Sequence, residues 1–84
     1  MGRPITEDER LFIVRVLKDA TQNVMLLSDF ERSFVFEVAT SYARFGSKLQ
    51  TSNARMRTLY NVAVKLCTDL TGVPEIDWEE MAEE

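Results

Sequence analysis

The stretch SDFERSFVFEVATSYARFG, residues 28–46, decides the fold. It opens on Ser28 with Glu31 three residues later, the pattern of a capping box: the serine hydroxyl accepts from the Glu31 backbone N–H while the glutamate reaches back to the Ser28 N–H. Phe30, Phe34, Val38 and Tyr42 follow at four-residue spacing, joined by Val35, Ala39 and Phe45, a helical period and not the alternation of a strand. Gly46 stands where a left-handed residue ends a helix. A helix over residues 29–45 follows, placed at the centre of the fold.

The same punctuation recurs on either side. Thr6 and Glu9 form a second capping box, with Glu7, Asp8 and Glu9 at the positive end of the helix dipole. Phe12, Ile13, Val16 and Leu17 then give an apolar stripe, wide enough for two packing neighbours, that lasts to about Ala20. Thr21, Gln22 and Asn23 interrupt it, and residues 24–27 read as an apolar connector tucked against the core. Beyond Gly46, residues 47–51 read as a polar connector. Ser52 is a third N-cap, and Met56, Leu59, Tyr60, Ala63, Leu66, Cys67 and Leu70 trace an apolar face up to Gly72 and Pro74. No stretch alternates over a strand's length, and no Asn-Gly or Asp-Gly turn occurs. The sequence therefore predicts an all-α fold, a compact three-helix bundle with helices at about 6–20, 29–45 and 53–71. Phe30, Phe34, Val38, Leu59, Ala63 and Leu66 are expected at its centre. Residues 1–74 form one domain in this reading. Residues 75–84 form an acidic, mostly mobile tail anchored by Trp78.

At 84 residues the chain has surface to bury for one core only. Hydrophobic residues make up 45% of it, too many for a disordered chain. A single cysteine excludes an internal disulfide framework and fits a reducing, cytoplasmic setting. No run is long and apolar enough for a signal peptide or a membrane span, so no membrane partner is expected.

The net charge of -4 hides an asymmetry. Glu75, Asp77, Glu79, Glu80, Glu83 and Glu84 crowd the last ten residues, whereas residues 38–68 hold Arg44, Lys48, Arg55, Arg57 and Lys65 and no acid. Arg44 and Lys48 flank the turn after the second helix, and Ser52 opens a helix whose first N–H groups suit an anion. Asn53, Arg57, Asn61 and Lys65 recur every four residues and read as a stripe of donors for phosphates or base edges. The competing reading is a solvated helix face, favoured by a pI near 4.8. The acidic tail reads either as a regulator, a phosphate-like array for the basic face or for another protein, or as a solubilising end. The first helix is apolar nearly all round, so Phe12 and Val16 are candidates, with Trp78, for a partner surface or a homodimer.

Chemistry is poorly provided for. There is no histidine, phosphate loop or metal-spaced cysteine pattern. Cys67 lacks a base to activate it and reads as a small buried hydrophobe. No cofactor, metal or catalytic residue is expected, and the chain reads as a non-enzyme.

Two patterns carry a resemblance: Leu27-Ser28-x-Phe30-Glu31-x-x-Phe34, and after a turn Ser52-x-x-Arg55-x-x-x-Leu59-x-x-Val62-x-x-Lys65. Residues 27–66 thereby resemble a small helical module of phage and bacterial DNA replication and recombination proteins, such as the companion domain of a phage recombination helicase. In that pattern Phe30 is commonly tryptophan and Arg55 glutamine. The resemblance implies a helical pair in an accessory module of phage or bacterial DNA metabolism. With the basic corner it gives the working expectation: a binding module contacting nucleic acid or a nucleic-acid-processing protein. The alternative is a small protein-directed inhibitor or adaptor acting through its acidic tail or first helix.

Overall fold

All three start signals read from the sequence operate in the computed structural model, which describes residues 3–76. Thr6 caps α1 (Glu7–Gln22), accepting from the Glu9 N–H at 3.1 Å while the Glu9 carboxylate accepts from the Thr6 N–H at 2.8 Å. Ser28 and Glu31 do the same for α2 (Asp29–Phe45), and the Ser52 hydroxyl caps α3 (Asn53–Leu66) through the Arg55 N–H. The fold is thus the all-α three-helix arrangement, with short 3-10 turns at Val24–Leu26 and Gly46–Lys48.

Its centre differs from the one the sequence suggested. α1 packs against both neighbours, and most extensively against α3. It buries Phe12, Ile13, Val16 and Ala20 against Met56, Leu59, Val62 and Ala63 of α3, whereas α2 buries only Val35 and Val38. A row of residues four apart advances ~40° around a helix at each step, so Phe30, Phe34, Val38 and Tyr42 spiral across ~120° and cannot all face one neighbour. Val38, Leu59 and Ala63 are core as expected, and Phe34 and Leu66 pack at its edge, but Phe30 is 69% exposed. Of residues 24–27 only Leu27 is tucked in, and Met25 is 86% exposed.

α3 also ends earlier than residue 71. Cys67 adopts the left-handed conformation at φ 54°, its N–H returns to Ala63 and Val64, and the Thr68 N–H closes on the Ala63 carbonyl at 3.0 Å. The Asp69 carboxylate then accepts from both the backbone N–H and the hydroxyl of Thr71, a local turn that competes with helix. Leu70, Val73 and Ile76 fold back onto the core. Cys67 is consequently exposed and not the buried hydrophobe the spacing suggested. A left-handed non-glycine residue is strained by about 1–2 kcal/mol, so Cys67→Gly should stabilise by up to about 1 kcal/mol in urea unfolding. Equal or lower stability would show that the left-handed turn carries no such strain.

One element has no sequence signal at all. Arg3–Pro4 (β1) and Gln50–Thr51 (β2) pair antiparallel, Arg3 opposite Thr51 and Pro4 opposite Gln50, where no strand was expected. Two-residue strands are too short for alternation to show. Behind them lies a buried polar cluster. The Arg3 guanidinium grips both Glu9 carboxylate oxygens at 2.7 Å and donates to Asn53 Oδ1 from Nε at 3.1 Å and Nη2 at 2.6 Å. This ties the amino-terminal strand to the starts of α1 and α3. The expectations for residues 77–84, a mobile tail and Trp78 as its anchor, lie outside the described residues.

Candidate functional site

α2 and α3 each lean on α1 and splay apart beside the second 3-10 turn, leaving a cleft of about 490 Å³. Its floor is apolar: Ile13 of α1, Val38 of α2, and Met56 and Leu59 of α3. The rim carries Glu37, Ser41 and Phe45 on one side and Lys48, Gln50, Ser52 and Arg55 on the other. This is the corner where the sequence placed a basic site, so Lys48, Ser52 and Arg55 do come together. Arg44 joins them through Phe45, holding its guanidinium 5.6 Å from the ring centroid, and Phe45 is itself 52% exposed.

The remaining candidates are dispersed. Asn53 is buried and accepts from Arg3, so it is no surface donor. Arg57 and Asn61 line a separate groove of about 800 Å³ between α3 and residues 70–76, with Glu75 on its edge. Residues two apart on a helix point ~200° apart, which is why Arg55 and Arg57 serve different faces. Lys65 lies at the far end of α3, where Nζ donates to Glu31 Oε1 at 2.6 Å. The four-spaced polar stripe is thus divided among core, groove and ion pair. Phe12 and Val16, expected as a partner or dimer surface, are buried against α3 and offer no face to a second copy. Asp77, Trp78, Glu79, Glu80, Glu83 and Glu84 lie outside the described residues.

Two of the cations at the α2–α3 seam are answered from α2. Arg55 donates to Glu37 at 3.0 Å while lying 5.5 Å from the Phe34 ring centroid, and Phe34 stacks on Phe30. Lys65, and then the Ser28 backbone N–H, hold the Glu31 carboxyl down from 4.5 to about 2. Because that value is depressed in the folded chain, the contribution is complete above pH 4.5 and is lost as pH falls towards 2. Glu31→Gln should therefore flatten the acid limb of the melting-temperature profile between those values. A variant whose profile falls as steeply as the parent's there would contradict the assignment.

No protein-family model, characterised protein or solved structure matches this chain. The fold uses Leu27, Leu59 and Val62 as core and Ser28, Glu31 and Ser52 as caps, and it leaves Phe30 and Lys65 at the surface.

Sequence reasoning missed the floor and the apolar part of the rim. Nothing local distinguishes Ile13 or Leu59 from other core residues, since the cleft arises from the splay of two helices. Phe45, an aromatic between Arg44 and the helix-ending Gly46, was the one legible clue. Among the described residues no group of three or more acids, cysteines or histidines could hold a metal, and no helix is long and apolar enough to cross a membrane.

Proposed function

We propose that the chain is a non-enzymatic accessory binding module, cytoplasmic and of phage or bacterial DNA metabolism, that docks on a nucleic-acid-processing protein through the α2–α3 cleft. The observation that carries this reading is the apolar floor of Ile13, Val38, Met56 and Leu59 beneath a rim bearing Phe45 and Lys48. Such a recess takes an apolar side chain, with polar groups at the edge fixing its orientation. The pairing of Arg55 with Glu37 and of Lys65 with Glu31 withdraws two of the five cations from phosphate contact. The assignment to DNA metabolism rests on the resemblance of residues 27–66.

The test is selection of randomised displayed peptides on the immobilised chain, with Phe45→Ala/Lys48→Glu as counter-target. Both side chains are exposed, so this variant should fold within about 0.5 kcal/mol of the parent. Peptides that bind the parent and not the variant are expected. Absence of such peptides would defeat the proposal. So would oligonucleotide binding that weakens steeply with salt and disappears in the variant.

A further inference from the structure

We infer that the cleft takes its partner as an extended, acidic segment that adds a strand to β2. The inference rests on the docking reading above and names the partner's conformation and charge. Its basis is the hydrogen-bond pattern of the small sheet. The Ile5 N–H donates to the Leu49 carbonyl at 3.0 Å, and Arg3 lies opposite Thr51. In an antiparallel ladder hydrogen-bonded pairs alternate with non-bonded ones, so Leu49 and Thr51 turn their backbone groups towards β1 and Gln50 turns its own away. Pro4, opposite Gln50, has no N–H to offer in any case. The Gln50 N–H and C=O thus stand at the open edge of the sheet, on the same residue that lines the cleft beside the apolar floor.

A short open strand next to an apolar recess is the arrangement through which extended segments are recognised: main-chain bonds align the segment, and every second side chain drops into a pocket. Charge complementarity sets the composition. Of the five basic residues in residues 38–68, Arg57 and Lys65 lie elsewhere and Arg55 pairs with Glu37 on the rim, which leaves Lys48 and Arg44 to face a partner here. Lys48 is exposed beside β2, and Arg44 stands over Phe45 at the cleft mouth. A segment alternating a large apolar residue with aspartate or glutamate would seat the first on Val38, Met56 and Leu59 and turn the second towards Lys48. A phosphate backbone would use Lys48 and Arg44 but leave the floor uncovered.

The experiment uses the full chain and three labelled probes: a short peptide of alternating leucine and aspartate flanked by proline, the same composition rearranged to helical spacing, and oligothymidylate. The backbone variant is Gln50→Pro, which removes the edge N–H. Leu49 already has φ -57° and ψ 137°, as the residue before a proline requires. Gln50→Ala, which keeps the N–H, is the control, and melting temperatures confirm that both fold. The extended peptide should shift the Gln50 amide resonance and lose about three- to tenfold in affinity with Gln50→Pro, the scale of one main-chain hydrogen bond, but not with Gln50→Ala. Binding of both peptides without sensitivity to Gln50→Pro would overturn strand addition while leaving the docking reading intact. If oligothymidylate alone binds, both fall.

Discussion

Arg3→Ala is expected to cost about 3–5 kcal/mol, a large share of what holds a domain of this size together. The Glu9 side chain is wholly buried, and the Arg3 guanidinium covers both its oxygens at 2.7 Å. Removing the arginine leaves a carboxylate in the interior without that counter-charge, and it strips Asn53 Oδ1 of two donated bonds at once. The amino-terminal strand, which has two residues of pairing with β2, loses its anchor as well. A second variant separates the charge from the shape. Arg3→Met combined with Glu9→Met replaces the pair with apolar groups and should recover part of the loss, since a buried ion pair is often no better than a hydrophobic substitute. Recovery will be incomplete by about 2 kcal/mol, because Asn53 Oδ1 still lacks the two bonds from Arg3 and Glu9 also accepts the Thr6 N–H that starts α1. Urea unfolding of the three chains gives the answer. A loss below about 1 kcal/mol for Arg3→Ala would mean that the buried carboxylate does not depend on this partner.

Leu59→Ala should cost about 2–5 kcal/mol, and Phe30→Ala only about 0.5 kcal/mol, although the sequence pattern gives the two residues equal standing. Leu59 is 1% exposed between α1 and the cleft floor, where truncation opens a cavity that helices on two sides cannot close. Phe30 has 69% of its surface in water and stacks on Phe34 from outside. Comparable losses for both would place α2 deeper in the core than the structure does. Leu59→Ala also enlarges the proposed site, so its binding should be measured well below its melting temperature.

The contrast shows what could be read from residues in order. Helix starts were legible at Thr6, Ser28 and Ser52 because a cap is local chemistry over four residues. Helix ends were less so. Gly46 was legible, but Cys67 overrode the Gly72 and Pro74 signals because the side chain of Asp69 organised the chain after it. The relative depth of three amphipathic helices depends on how they cross, and no single periodicity records that. The site divides in the same way. Lys48, Ser52 and Arg55 were found because they are close in sequence to one turn. Glu37, which answers Arg55 across the seam, and Ile13, which floors the cleft, come from elements distant in the chain. Asn53 was misplaced for the complementary reason: a polar residue at a helix start reads as exposed unless its partner, Arg3, is known to lie against it.

The unequal burial of the helices has a thermodynamic corollary. With only Val35 and Val38 buried, α2 should detach from the α1–α3 pair at a fraction of the free energy needed to unfold the whole, and its amides should exchange with solvent deuterium by that sub-global route. Anything that bridges α2 to β2 closes the route by mass action, so occupancy of the seam will register as slowed exchange along a helix most of whose residues the ligand never touches.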